Sequence, residues 1–489
     1  MNLLDTLSAS RAAEEIAAGR LSAVELLDAC TQQIARHNPA INALVTLDLA
    51  GARQAAEAAD AVIRQSGVPD DQPLLGLPIS IKDAFATQGL RTTSSFPPLA
   101  DHIPSRDATV VARLKAAGAV LLGKSNLSEL AGDPQCWSPL FGPTRNPWDP
   151  ARTPGGSSGG SAAAIAMGFS LLEAGSDIAG SIRIPAAYCG VAGLKTTENR
   201  IPRTGHIPHL PGQPRTVRHM LSFGLLGRRV ADLQLGFPLL AGPDGEDFEV
   251  PPIPAGQAAP QESRPLRVAW WDDFAGTPLC QRTRRGLQHA VEKLQAAGHR
   301  VERYAPEKFA IEDARQAFGT LAGSEIGRGL PSWQRLFFSL GSTFLPRQQI
   351  LGRAFLGGMH ATPGQYNAAL LRREQLIGAL EDFLGQWDVW LCPTAPTVAY
   401  PAFPLPRFRP PPSLLIDDQP LSYIEATISL TAPFSLTGSP VVSLPASIEE
   451  GLPVGLQVVG RRWQEDRLLQ HCRRLEDCLG DYRPPPRAG

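Results

Sequence analysis

Apolar residues repeat with a helical period at the start of the chain. One stripe has the spacing i, i+3, i+4 and i+7, which places its members on one face of an α-helix. Its members are Ala9, Ala12, Ala13 and Ile16. Ser22 and Glu25 have the spacing of a capping box that begins a second helix, and alanine-rich residues 51–65 favour a third. We therefore expect residues 1–65 to form an N-terminal helical segment packed on the main domain.

Short apolar runs then alternate with helical patterns. In order, the pattern predicts a strand at residues 74–81, a helix at 108–117, strands at 119–124 and 222–226, and helices at 230–240, 281–297 and 464–478. Mostly helical sequence fills residues 308–385. Such alternation is typical of a sheet covered by helices, so the fold class is α/β. Residues 242–266, rich in proline, glycine and acidic residues, are predicted to be an exposed connector.

The composition changes this picture little. Of 489 residues, 43% are hydrophobic, and 46 Lys+Arg against 47 Asp+Glu leave a net charge of -1. A chain without an overall basic field is not expected to recruit nucleic acid or an anionic membrane. The seven cysteines include no CxxC pair and no zinc-ligand spacing, and the N-terminus has no signal-peptide pattern. We expect a cytoplasmic protein without a metal or cofactor that contacts neither nucleic acid nor membrane.

Two small-residue clusters, each containing serine, stand out in the middle of the chain. The first covers residues 155–161 (GGSSGGS) and the second residues 176–181 (SDIAGS). Glycine lets backbone N–H groups approach a ligand closely, so the second cluster can direct successive N–H groups at an oxyanion, with a serine hydroxyl at its end. The helix and short strand predicted between the clusters can return Ser157 and Ser181 to one place.

Together with the motif GLPISIKD at residues 76–83, this stretch resembles the amidase signature family of serine amide hydrolases. The GLPISIKD motif, the GGSSGG run and the AGSIRIP segment occur in the family's order and spacing, and the likeness continues at residues 436–440 and 451–457. The resemblance implies a single α/β/α domain around a large, mostly parallel, mixed sheet. It makes residues 66–489 one continuous domain, with residues 153–195 as its core motif.

The resemblance also assigns catalytic roles. It implies Ser181 as nucleophile, Ser157 as a bridging serine that follows a cis peptide, and Lys82 as the base and acid. Lys82 can accept a proton only if burial lowers its pKa substantially from about 10.4. The implied function is hydrolysis of the C–N bond of a small-molecule amide through an acyl-enzyme, without a cofactor. Which amide is cut, and whether esters or carbamates are cut too, is left open.

Further residues are implied around this set. The N–H groups expected to hold the oxyanion are those of Ile178, Ala179, Gly180 and Ser181. The candidates for substrate binding are Ala131, Gly156 and Ser158. Asp177 and Arg183 flank residues 178–182, the loop that carries Ser181 and that we call the nucleophile loop, and they are expected to form a buried structural pair or a backbone anchor. Ala179 departs from the family, which has glycine there, but alanine still donates its backbone N–H.

Other patterns compete for the first cluster. It also fits GxSxG, the nucleophile elbow of α/β-hydrolases, but the polar, proline-rich residues 145–154 do not predict the buried strand that an elbow requires upstream. A phosphate-binding loop lacks its Gly-Lys-Ser/Thr ending. His206 and His209 are expected to line or flank the cleft, not to catalyse.

Two other functions fit the same motifs. One is the A subunit of a glutamyl-tRNA amidotransferase, acting as a glutaminase; its usual threonine and glutamine are here Ile178 and Ile184, which favours a free-standing hydrolase. The other is a non-catalytic binding protein on the same fold, against which the intact Lys82, Ser157 and Ser181 argue. The oligomeric state is left open, a homodimer included.

Overall fold

The computed structural model describes residues 3–213, 215–256, 264–406 and 411–486. Its strands are β1 Leu44–Leu47, β2 Pro78–Lys82, β3 Val120–Ser125, β4 Trp137–Ser138, β5 Gly142–Pro143, β6 Glu173–Asp177, β7 Ala192–Lys195, β8 Ser222–Gly227, β9 Arg267–Trp270, β10 Arg300–Arg303, β11 Val389–Pro393, β12 Leu414–Ile416, β13 Gln419–Leu421, β14 Val441–Glu449 and β15 Leu452–Val459. Eleven of them form one sheet in the order β1-β3-β2-β6-β8-β7-β14-β15-β11-β9-β10.

The helices cover this sheet. They are α1 Ala9–Ala17, α2 Ala23–Ile41, α3 Leu49–Ser66, α4 Thr109–Ala116, α5 Gly159–Met167, α6 Arg183–Cys189, α7 Val230–Leu240, α8 Gln281–Ala296, α9 Ile311–Gly327, α10 Ser332–Gly341, α11 Ile350–Gly358, α12 Pro363–Gln386, α13 Tyr423–Ile428, α14 Ala432–Leu436 and α15 Glu465–Leu479. The α/β/α architecture expected from the sequence is confirmed.

The sheet is mixed, and its strand directions divide it into three parts. Parallel pairing joins β3, β2 and β6 toward one edge and β11, β9 and β10 toward the other. The six other pairings are antiparallel and include the central hairpin of β14 and β15. Its two-residue turn has positive φ at Glu450 (50°) and Gly451 (80°), which is typical of a type I′ hairpin. Parallel pairs are thus limited to two groups of three strands.

The N-terminal segment is less purely helical than expected. The predicted capping box of α2 is present: the Ser22 hydroxyl accepts from the N–H of Glu25, and the Glu25 carboxylate accepts from the N–H of Ser22. Between α2 and α3, however, β1 pairs with β3 at the edge of the sheet. Asn38 directs this change, because its side-chain oxygen accepts from the N–H groups of Ala43 and Leu44. The boundary at residue 65 stays a prediction.

One apolar core joins the N-terminal helices to the main body. Leu26 of α2, Ile79 of β2, Val268 of β9 and Leu475 of α15 belong to the same buried cluster. The expected connector at 242–266 lies partly outside the described residues; its described part is irregular and begins directly after α7. No described helix has both the length and the apolar character that crossing a membrane would require.

Candidate active site

The end of β2 carries Lys82 into the interior. Every residue of this strand is buried, and the Lys82 side chain is 0% exposed. Its Nζ lies within hydrogen-bond distance of three hydroxyls, those of Ser157 at 2.7 Å, Ser158 at 2.8 Å and Ser176 at 3.1 Å. The structure therefore brings the lysine of the GLPISIKD motif into contact with serines of both small-residue clusters. Ser176 was not singled out from the sequence, although it begins the second cluster.

The first cluster is an irregular segment that leads into α5, and its Gly156–Ser157 peptide bond is cis. Gly156 is required there because a Cβ would lie 2.6 Å from the carbonyl oxygen of Asp133 and 2.5 Å from that of Gln135. Ser158 is close-packed as well, since its hydroxyl contacts Lys82 and its N–H donates to the Ser181 carbonyl at 3.1 Å. Gly156 and Ser158, both proposed to bind substrate, are thus also parts of the scaffold.

This last hydrogen bond joins the two clusters at Ser181. The second cluster leaves the end of β6, and Ser181 lies just before α6, with its side chain partly exposed while Ser157 and Ser158 are buried. A nucleophile that must meet substrate needs such access, whereas a proton carrier behind it does not.

Asp177 and Arg183 hold the nucleophile loop from below, as expected for this pair. The two side chains are fully buried and meet at 2.9 Å. Asp177 also accepts from the N–H of Gly180 at 2.8 Å and from that of Ile182 at 3.0 Å. Burial by itself would raise the pKa of Asp177, but the Arg183 guanidinium lowers it to about 2, so the carboxylate is a permanent acceptor for the loop.

The same contacts correct the expected oxyanion donors. The N–H of Gly180 is bound to the Asp177 carboxylate, so it is directed into the scaffold and is not one of the donors. The candidates that stay are the N–H groups of Ile178, Ala179 and Ser181. The reason is the turn that begins at Asp177. Because its carboxylate accepts from the N–H of Gly180, three residues later, this N–H points into the protein.

A second anchor, from the C-terminal part of the chain, holds the other side of the loop. Thr431, just before α14, donates its hydroxyl to the Ala179 carbonyl at 2.5 Å. Its own carbonyl accepts from Arg183 at 3.0 Å, and Arg183 also donates to Gln457 on β15. Gln457 lies in residues 451–457, which resemble the family in sequence, so the motif could have pointed to it. Thr431 belongs to none of the motifs identified from the sequence.

The electrostatics of Lys82 suit a neutral amine. Burial lowers its pKa to about 7, although the Cys136 thiol and the Asp177 and Glu173 carboxyls act in the opposite direction. A neutral amine has two N–H donors and one lone pair, which matches an Nζ surrounded by three hydroxyls. The sequence-based requirement that Lys82 be shielded from water is met.

Glu173 on β6 is a buried carboxyl group near this lysine that the sequence patterns did not single out. It accepts from the hydroxyl of Ser80, two residues before Lys82 on β2, and from that of Ser125 at 3.3 Å; Ser125 in turn lies 2.9 Å from Ser161. Burial raises the pKa of Glu173 to about 7, against the effect of these hydroxyls.

The remaining candidates lie outside this set. Ala131 ends a short 3-10 turn with a φ of 58°, and its N–H donates to the Ser128 carbonyl. His206 is buried between the rings of Phe85 and Phe223, and burial lowers its pKa well below the usual range, as for a core histidine. Among the described residues, no group of three or more His, Cys, Asp or Glu is placed to hold a metal ion.

The fold and this lysine–serine arrangement define an enzyme class, the amidases of the signature type. The family model described as Amidase matches residues 25–469, and the chain belongs to this family.

Individual relatives fall within the same family. The A subunit of the glutamyl-tRNA(Gln) amidotransferase of Roseiflexus sp. (strain RS-1) is 35% identical over 490 residues, covering 96% of each chain. A solved structure described as an amidase is 31% identical, with a TM-score of 0.78 over 97% of this chain and 100% of that one. 6-Aminohexanoate cyclic dimer hydrolase, solved with its substrate, is 27% identical, with a TM-score of 0.79 over 98% of both chains.

Proposed function

We propose that this protein hydrolyses a carboxylic amide through an acyl-enzyme on Ser181, with Ser157 passing protons between Ser181 and Lys82. The observation that carries the proposal is the fully buried Lys82 Nζ lying 2.7 Å from Ser157 Oγ, in a cluster hydrogen-bonded to Ser181. A surface lysine would stay protonated near neutral pH and could not act as a base. Here burial brings the pKa to about 7, close to the optimum for general acid–base work.

The chemistry follows from this arrangement. Neutral Lys82 takes the proton of Ser157 while Ser157 takes that of Ser181, and the Ser181 oxygen attacks the amide carbonyl. The N–H groups of Ile178, Ala179 and Ser181 stabilise the resulting oxyanion. When the C–N bond breaks, the Lys82 ammonium returns its proton through Ser157 to the leaving amine. Water then attacks the Ser181 ester along the same proton path and restores the free enzyme.

The supporting side chains have distinct parts in this scheme. Ser158 and Ser176 accept the two N–H bonds of neutral Lys82 and so direct its lone pair at Ser157. Asp177 and Thr431 fix the loop that carries the oxyanion donors. In this scheme Ser158 acts on the base and not on the substrate, and Ala131 and Gly156 shape the adjoining wall.

A Ser181→Ala variant tests the proposal. We expect it to lose labelling by a fluorophosphonate probe and all turnover in a screen of aliphatic, aromatic, peptide and cyclic amides, while its thermal unfolding stays that of the wild type. Ser66→Ala, at an exposed helix end, is the matched control and should keep full labelling. Labelling of Ser181→Ala at the wild-type rate would refute the assignment. A wild-type protein that is never labelled would indicate the non-catalytic binding protein instead.

A second candidate function is that of an amidotransferase A subunit, which the 35% identity to one such protein over 96% of each chain favours. In that case the amide would be glutamine and the chain would work with partner subunits. Ammonia release from glutamine, absent with the other amides, would select this function. Turnover of non-glutamine amides by the purified chain alone would select the free-standing hydrolase.

A further inference from the structure

The helix α10 and the turn after it expose an unusual concentration of large apolar side chains. Among the described residues, sixteen such side chains are exposed, and seven of them lie between residues 326 and 344. They are Ile326, Trp333, Leu336, Phe337, Phe338, Leu340 and Phe344. Single exposed apolar residues are ordinary, but a contiguous group marks a surface that is covered in use. We call residues 326–344 the apolar face.

The pattern along α10 is the reverse of that in an ordinary surface helix. Trp333, Phe337 and Leu340 follow each other at i, i+4 and i+7, so they share one side, and they are 70%, 68% and 58% exposed. None of the residues of α10 is buried. Polar Gln334, Arg335 and Ser339 are the partly covered ones. The helix therefore presents its apolar side outward and contributes nothing to the core.

The charge around the apolar face is one-sided. From residue 326 to residue 373 the sequence has no Asp or Glu but has six arginines. Four of them, Arg328, Arg335, Arg347 and Arg353, form no ion pair with a carboxylate within the described ranges. Elsewhere in the described residues, the buried Arg183, Arg200 and Arg203 are paired with the acids Asp177, Glu465 and Asp247. The apolar face thus combines aromatic residues with two exposed cations that have no carboxylate partner among the described residues, Arg328 within it and Arg347 three residues after it.

We propose that the apolar face docks on an anionic lipid bilayer, with the Trp and Phe rings at the headgroup level and the exposed Arg328 and Arg347 on lipid phosphates. Helices of this composition lie in the plane of the interface and do not span it. This departs from the expectation, drawn from net charge alone, that no membrane is contacted. A net charge of -1 averages over the whole chain and hides a local patch.

A second copy of the chain fits the face less well. In a two-fold symmetric contact the same patch meets itself, so the unpaired arginines of both copies would come together without a carboxylate to separate them. Lipid phosphates, in contrast, supply the missing negative charge.

Flotation of the full chain with vesicles tests the proposal. We expect binding to vesicles of equal parts phosphatidylcholine and phosphatidylglycerol, and weak binding to phosphatidylcholine alone. Trp333→Gln/Phe337→Gln should weaken binding at least tenfold, because two interfacial rings are lost. The matched control Phe248→Gln removes a 91% exposed ring elsewhere and should leave binding unchanged. Since α10 buries nothing, the double variant is expected to fold normally.

The charge contribution has its own test. Arg328→Gln and Arg347→Gln should each weaken binding about fivefold, since a basic residue near an anionic surface contributes about 1 kcal/mol. Arg64→Gln, an exposed arginine on α3, is the control of equal charge. Wild-type protein that fails to float with either vesicle, or that floats equally after the ring substitutions, overturns the proposal. So does light scattering that shows a dimer which Trp333→Gln/Phe337→Gln dissociates, because the occupant is then a second copy.

Discussion

Replacing Lys82 with methionine is the sharpest test of the proposed base. Methionine keeps the length and apolar stem of the side chain but has no amine, so the path from Ser181 through Ser157 ends without an acceptor. In the wild type, a pKa of about 7 makes about a tenth of the lysine neutral at pH 6 and about nine tenths at pH 8. Fluorophosphonate labelling of Ser181 should therefore rise about tenfold between these pH values, and Lys82→Met should abolish it at both.

The same substitution should stabilise the fold. The pKa of Lys82 falls from its ordinary value near 10.5 in the unfolded chain to about 7 in the folded one. The unfolded chain thus binds the extra proton, and stability rises with pH between about 7 and about 10.5. The shift of about 3.5 pKa units at 1.36 kcal/mol each corresponds to about 5 kcal/mol, and because the folded Lys82 is half protonated at pH 7, the cost of burying it there is about 4 kcal/mol. Methionine removes this cost but leaves hydroxyls unpaired, at about 1–3 kcal/mol. A net gain of about 1–3 kcal/mol is expected.

Labelling rates from pH 6 to pH 8 and urea unfolding at pH 7 measure the two effects. The opposite directions matter, because a merely damaged variant would lose both labelling and stability. A wild-type labelling rate that is flat across this range, or a Lys82→Met protein that is labelled normally, would refute the reasoning. A variant that is inactive and less stable would show that Lys82 is charged and structurally required.

Three further perturbations follow. Glu173→Gln removes a negative charge that raises the pKa of Lys82, so the midpoint of the labelling profile should move to lower pH; an unchanged midpoint would show that the carboxyl is protonated throughout. Thr431→Val keeps shape but loses the hydrogen bond to the nucleophile loop, and kcat should fall about five- to tenfold with little change in KM, corresponding to about 1 kcal/mol. Gly156→Ala should prevent normal folding, as judged by Tm and solubility, because its Cβ would clash with two backbone carbonyls. The control is Gly378→Ala on α12, where a Cβ meets no atom; because alanine favours a helix more than glycine does, this variant should be about 0.5–1 kcal/mol more stable.

Local patterns predicted the local structure well. The capping box at Ser22, the helix that became α5 and the strands that became β2 and β3 have short-range causes, namely capping, alanine content and apolar runs. β1 was missed because four residues between two helices are too short to show a period. The short strand predicted between the two clusters is β6, which begins at the buried acid Glu173.

The candidate site divides in the same way. Lys82, Ser157 and Ser181 were predicted from sequence motifs with the family's order and spacing. In the structure, Lys82 contacts Ser157, and the N–H of Ser158 donates to the Ser181 carbonyl. The contact between Thr431 and the nucleophile loop spans 252 positions along the chain, and no local pattern specifies it. Whether the Gly180 N–H is free to hold an oxyanion depends on which donor the Asp177 carboxylate accepts from. Composition and spacing do not determine this choice.

The long-range anchors explain why so small a loop needs so large a domain. Three N–H groups can hold an oxyanion only if their directions are fixed before the reaction, since reorientation during it would cost the energy that they are meant to supply. Asp177 holds the loop from the strand that precedes it. Thr431 contacts both the loop and Arg183, and Gln457 contacts Arg183, from segments about 250 to 275 residues later in the chain. The shape of the nucleophile loop therefore depends on Thr431, just before α14, and on Gln457 of β15, which holds Arg183. A chain ending before residue 431 should contain Lys82, Ser157 and Ser181 and still fail to react with a fluorophosphonate.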